Sequence, residues 1–203
     1  MDDCIKTVAV ANQNSVTVYG INGPNDITTY QANNNGYVDI SDMANASGAN
    51  FEFQQGVDAT FATPQTAEGL YNAAAAYGQT YPDDAKLSLN DAGSEDGGPI
   101  PPHQTHDLGR SVDMRYIDSD GNDVSGHGEG NVLRADDPRM IDLVNYLKAG
   151  GFNQIYSDND RTYGTQWAPG HGSHLHAGKN KETAQRERQK ATPPNRPGPR
   201  RQQ

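Results

Sequence analysis

His103-Gln104-Thr105-His106-Asp107-Leu108-Gly109-Arg110-Ser111-Val112-Asp113-Met114-Arg115-Tyr116-Ile117 changes character half-way along. Its second half alternates, with Val112, Met114 and Tyr116 on one side and Ser111, Asp113 and Arg115 on the other. A period of two marks a strand with one apolar and one polar face. The first half carries two histidines three residues apart. Gly109 follows them, where it lets the backbone turn into the strand. The strand therefore presents the acid Asp113 on its polar face and receives His106 just before its start.

A second histidine cluster lies downstream, at His171-Gly172-Ser173-His174-Leu175-His176, and the two clusters hold five of the six histidines. The sixth, His127, sits between glycines and reads as a surface loop residue. Imidazole nitrogens and a carboxylate are the ligands that zinc takes, and a catalytic site uses three protein ligands with one position open. Two histidines and one acid would supply such a set. His174 and His176 stand two apart, so on a strand they face the same way. One can then bind a metal while the other reaches a bound water. If the clusters lie on neighbouring strands, they meet at one spot. Asp107 reads as a surface acid, with a hydrogen bond to a ligand as the alternative.

Working outward, short strands are expected at 6–10 and 16–19, and a turn at 22–26. Residues 21–60 show no sustained periodicity. An Ala-rich helix is expected at about 65–78, capped by Thr66 and stopped by Gly78, followed by a short strand at Leu87 and Leu89. A Gly/Pro/acid loop fills 90–102. A second helix at 137–149 has Asp136 or Asp137 as cap, Pro138 in its first turn, an apolar stripe of Met140, Leu143, Val144 and Leu147, and Gly150-Gly151 at its end. Strands follow at 153–156 and 173–177. Asp118-Ser119-Asp120-Gly121-Asn122-Asp123 lacks the full spacing of a calcium loop and reads as a hairpin turn. The expected fold class is α+β, with a mainly antiparallel central sheet flanked by a few helices and long loops. Three parts are expected: a strand and loop segment at 1–60 packed on the domain that follows, a catalytic domain at 61–180, and a basic, Pro-rich disordered tail at 181–203.

Charge narrows the function. The chain carries a net charge of -10 over 203 residues, yet residues 181–203 hold seven basic and two acidic residues, which leaves 1–180 at -15. An acidic body argues against nucleic acid as partner and against a phosphodiesterase, since phosphate contacts need basic surface. No apolar run approaches the roughly 20 residues that span a membrane. The single cysteine, Cys4, excludes an intrachain disulfide. The start has no basic and apolar leader pattern. Expected routes to the substrate are therefore phage lysis, a secretion system, or a signal already removed.

At its histidines the chain resembles the LAS group of zinc peptidases, which includes lysostaphin-type endopeptidases, D-Ala-D-Ala peptidases and the hedgehog signalling domain. The group's pattern is H-x6-D followed by H-x-H, matched here by His106 and Asp113, then His174-Leu175-His176. The branch of penicillin-insensitive murein endopeptidases is more similar still, because it adds a histidine three residues before each motif, as His103 and His171 do here. The likeness covers about residues 95–180. It implies a LAS/hedgehog-like peptidase fold and one zinc ion per chain, bound by His106, Asp113 and His176. It implies His174 as general base, with His171 and His103 lining the site and stabilising the oxyanion. The implied substrate is the D-alanyl–meso-diaminopimelate cross-link between peptidoglycan stems, cut in the periplasm or cell wall, with an immunity protein as partner if the chain is a secreted toxin. Arg110, Arg115 or Arg161 would offset the stem carboxylates. The competing expectations are a D,D-carboxypeptidase or dipeptidase on free stem termini, and a zinc-containing cell-wall binding module without activity.

Overall fold

In the computed structural model, the described residues are 8–101 apart from 21, 23 and 24, then 106–125, 136–158 and 162–191. His103, His127 and Arg161 lie outside them. Three strands open the chain as a meander: β1 (Val8–Ala11), β2 (Ser15–Tyr19) and β3 (Ile27–Gln31). Ala9, Val16 and Val18 face inward. The amide of Asn72 donates to the carbonyl of Ala9 and accepts from its N–H, which closes the outer edge of β1. Next come β4 (Val38–Asp39), the short helix α1 (Ile40–Met43), β5 (Phe51–Phe53) and β6 (Phe61–Ala62).

Helix α2 (Pro64–Thr80) begins at a proline, whose fixed φ suits the first helical position. Thr63 caps it, its hydroxyl accepting from the Thr66 N–H at 3.2 Å. Thr66 is thus the capped residue rather than the cap. The helix also runs through Gly78, which serves a different purpose from a stop. A Cβ there would lie 2.6 Å from Cγ of Asn50, so the glycine makes room for that side chain.

The chain continues through β7 (Leu87–Asp91), β8 (Ser111–Met114), β9 (Tyr116–Ile117) and β10 (Asp123–Val124). β9 and β10 form the expected hairpin, with Asp118 Oδ1 accepting from the N–H groups of Asp120 and Asn122 at 2.9 Å each. Helix α3 (Pro138–Ala149) matches its expected bounds closely, with Asp137 as cap and all four residues of the stripe buried. Then come β11 (Gln154–Ser157), a turn of 3-10 helix at Thr162–Gly164, β12 (Gln166–Trp167), β13 (Leu175–Gly178) and α4 (Lys181–Ala191).

The architecture is mixed α+β, with several antiparallel sheets and four helices among the described residues. The largest sheet has six strands in the order β12-β11-β13-β8-β7-β5. Its four central strands pair antiparallel, and a parallel strand is added at each edge. The chain crosses from β5 to β7 through α2, as parallel neighbours require. Through β5, the described part of 1–60 contributes a strand to the sheet that 61–180 builds. A three-residue strand with no long-range partner visible in sequence gave no sign of this. One face of the sheet carries Leu89, Val112, Met114, Leu175 and Ala177, which join the buried stripes of α2 and α3 in one core.

The expected disordered tail is corrected over its first half, since Lys181–Ala191 is helical. Asn180 caps the helix by accepting from the Thr183 N–H at 2.8 Å. Ala184 is fully buried, and Lys179 meets Glu187 at 3.0 Å. Composition alone reads as solvated because the anchoring partners lie elsewhere in the chain. Residues 192–203 lie outside the described set. Among the described residues, no helix is long and apolar enough to cross a membrane.

Helices α2 and α3 meet at two glycines. A Cβ on Gly69 would sit 2.1 Å from the carbonyl oxygen of Gly150. Gly69→Ala should therefore lower stability by about 1–3 kcal/mol through overpacking, more than the roughly 1 kcal/mol that alanine gains in a helix. Urea unfolding of the variant would check this, and an unchanged midpoint would mean that the helices can part without cost.

Candidate metal centre

The face of the large sheet opposite the core carries polar residues in one cross-strand row. Gln166, Tyr156, His176 and Asp113 are successive register partners, and Asp91 stands opposite Asp113. The register of β7 against β8 shifts between Leu89 and Asp91, and irregularities of this kind re-aim a strand beside a site. His106 reaches the row from the turn before β8. That turn uses two left-handed residues in succession, Leu108 at φ 62° and Gly109 at φ 59°. The sequence suggested the role of Gly109. It gave no hint that Leu108 would share it, a conformation uncommon in a residue with a Cβ.

His106, Asp113 and His176 are all buried, and each offers a ligand atom within 4.8 Å of the others. Asp113 Oδ1 is the shared point. His106 Nε2 lies 3.1 Å from it and His176 Nδ1 lies 2.7 Å from it. His174 Nε2 stands 3.4 Å from the other oxygen, Oδ2. The second nitrogen of His106, Nδ1, is hydrogen-bonded to the carbonyl of Ala92. A carbonyl only accepts, so Nδ1 carries a proton and the lone pair of neutral His106 faces Asp113. Two acceptors at that separation repel unless a proton or a cation lies between them. The donor set fits a metal ion, and the group can hold one.

Electrostatics agrees with that geometry. Burial opposes the charge on Asp113, but hydrogen bonds from His106 and His176 outweigh it and hold the carboxyl well below the usual carboxylate range. Burial also opposes charge on His106, yet Asp113 and the Ala92 carbonyl raise that imidazole above its ordinary value. Burial pushes His176 the other way, below its ordinary value. The two imidazoles that meet this carboxylate are thus pushed in opposite directions, and a cation would compete with a proton for the Nε2 side of His106.

His174 is 14% exposed at its side chain and touches the hydroxyl of Ser173 through Nδ1 at 3.2 Å. It lies one residue before β13 rather than on it, but still reaches Asp113. His171 is also brought in, its ring centroid 5.0 Å from that of His174 and 5.7 Å from that of His176. Its Nδ1 is 3.1 Å from the carbonyl of Ala168, and Tyr116 donates to its backbone carbonyl at 2.7 Å. Five of the six expected site residues thus gather at one place, and His103 lies outside the described residues.

Other expectations resolve differently. Asp107 makes ion pairs with Arg110 at 2.8 Å and Lys181 at 2.9 Å, so it is neither an idle surface acid nor the hydrogen-bond partner of His106. Arg110 is buried and also donates to Lys179 O and Gln154 Oε1, so it is committed to structure and not offered to a substrate. Arg115 is shared between Gln54 and Asp123. Three contributors escaped the sequence reading. They are the Ala92 carbonyl, Tyr156 stacked on His176, and Gly178, where a Cβ would sit 2.9 Å from both His176 Nε2 and Ser111 Oγ. Only Tyr156 had a visible signal, as the aromatic residue of an expected strand. No family model matches this chain, and no curated protein matches it.

Asp113→Asn should reduce divalent-metal affinity by more than the roughly 10–100-fold that losing a supporting hydrogen bond costs. Calorimetric titration at neutral pH would measure it, and an affinity equal to the parent would remove Asp113 from the ligand set.

Proposed function

We propose that this chain is a zinc metallopeptidase of the LAS type that hydrolyses peptide cross-links of bacterial peptidoglycan, acting as a D-alanyl–meso-diaminopimelate endopeptidase in the periplasm or cell wall. The observation that carries the reading is the convergence of His106 Nε2 and His176 Nδ1 on one buried carboxylate oxygen, with His174 at the other oxygen. Two imidazoles and a carboxylate form a three-ligand set of the kind that catalytic zinc uses. The H-x6-D and H-x-H spacings support the family and its fold, and the flanking His171 supports the murein endopeptidase branch.

Bound zinc supplies Lewis acidity, which makes water a nucleophile near neutral pH and polarises a carbonyl. The remaining work falls to the chain. His106 and His176 hold their nitrogens on the Asp113 side, and the Ala92 carbonyl keeps the His106 proton on Nδ1. His174 is partly exposed and beside Asp113, a place from which it can take a proton from attacking water and return it to the leaving amine. With Nδ1 turned to the Ala168 carbonyl, His171 would in its protonated form offer Nε2–H as a donor to negative charge on the acyl oxygen. Delivery as an antibacterial toxin or lysin would follow from this activity, with an immunity protein as partner in the toxin case.

The deciding experiment incubates the protein with cross-linked muropeptide dimers, with and without chelator. Dimers converted to monomers, with activity lost to chelator and restored by zinc, support the endopeptidase. Release of terminal D-alanine alone would point to a carboxypeptidase, and no product from zinc-loaded protein would overturn the enzymatic reading. In the same assay His174→Ala should retain zinc but lose about 10²–10⁴-fold in rate. Unchanged turnover would remove His174 as the base.

A further inference from the structure

A metal-ligating imidazole almost always hydrogen-bonds through its second ring nitrogen, and that bond fixes the orientation of the ring. His106 follows the rule through the carbonyl of Ala92. His176 does not. Its Nδ1 meets Asp113, but its Nε2 is buried beside Gly178 with no hydrogen-bond partner. A ring tied at one edge can still rotate and withdraw its ligand nitrogen. Something other than a hydrogen bond must hold it.

Tyr156 is in place to do so. It is the direct cross-strand partner of His176 in the β11–β13 pair. The two rings stack, with centroids 5.5 Å apart and planes 21° apart. The same tyrosine ring lies 5.7 Å from His171. Ring contacts of His106 and His171 with His176 are edge-on, at 68° and 76°, so the parallel contact comes from Tyr156. The Tyr156 hydroxyl makes no hydrogen bond to the protein among the described residues, so the aromatic face is the part that acts. Aromatic cross-strand pairs are a standard source of order on a sheet face.

We propose that Tyr156 is a positioning residue. Its ring, stacked on His176, keeps Nδ1 turned toward the metal and replaces the hydrogen bond that His176 lacks. The inference rests on the metal-site reading above and adds to it a residue outside both histidine motifs.

The test measures zinc affinity by competition with a chromogenic chelator, for the parent chain, Tyr156→Phe and Tyr156→Leu. The melting temperatures of the metal-free proteins are recorded alongside. Tyr156→Phe keeps the ring and should bind zinc within about twofold of the parent, whereas Tyr156→Leu should bind about 10–100-fold more weakly. Cobalt-substituted protein should show an altered visible spectrum for the leucine variant only. Leucine binding as tight as the parent would overturn the proposal. So would a loss in the phenylalanine variant equal to that in leucine, because the hydroxyl would then be the active part. Should the leucine variant fail to fold, Tyr156→Ile, with a good strand former, carries the same comparison. A parent chain that binds no zinc would instead overturn the metal reading itself, so the two failures are distinguishable.

Discussion

The carboxylate of Asp113 is the constraint around which this molecule is arranged. It is 2% exposed and stays charged, so it must be met by donors or by a cation. His106 arrives from a tight turn, His176 from the neighbouring strand and His174 from the residue just before that strand. Each approach depends on the register of β8 against β13, in which His176 faces Asp113 and Leu175 faces Met114. A slip by one residue would turn His176 into the apolar core and Leu175 into the site. The apolar side of the sheet and the polar side thus enforce the same alignment.

Around that centre, several structural groups serve the site without touching it. Arg110 and Asp107 stand between the histidine turn and the C-terminal helix, and join them through Lys179 and Lys181. This explains why a helix of polar composition is ordered, and why Arg110 is committed to structure. The three-stranded meander reaches the core through Ala9, Val16 and Val18, and β5 contributes to the sheet that carries the site. The described residues of 8–53, which show no clear motif, are thus part of the scaffold.

The acidic body bears on chemistry as well as on partners. A negative surface around a cation site favours capture of a divalent ion. On the proposed reading, stem carboxylates would have to be met by groups other than Arg110 and Arg115, which are engaged elsewhere.

Much of this was legible in the chain itself. The period of two over 111–116, the stripe Met140, Leu143, Val144 and Leu147, and the spacing of five histidines and one acid reflect local geometry, and local geometry is written in neighbouring residues. The α3 cap at Asp137 and the hairpin after Ile117 were readable for the same reason. Tertiary structure alone decided that β5 joins the central sheet, that Gly78 makes room for Asn50, that Lys181–Ala191 is held as a helix, and that Ala92, Tyr156 and Gly178 surround the ligands. Each depends on a contact made only in three dimensions, such as Gly78 with Asn50 or Tyr156 with His176, and neither periodicity nor propensity carries information about such a contact.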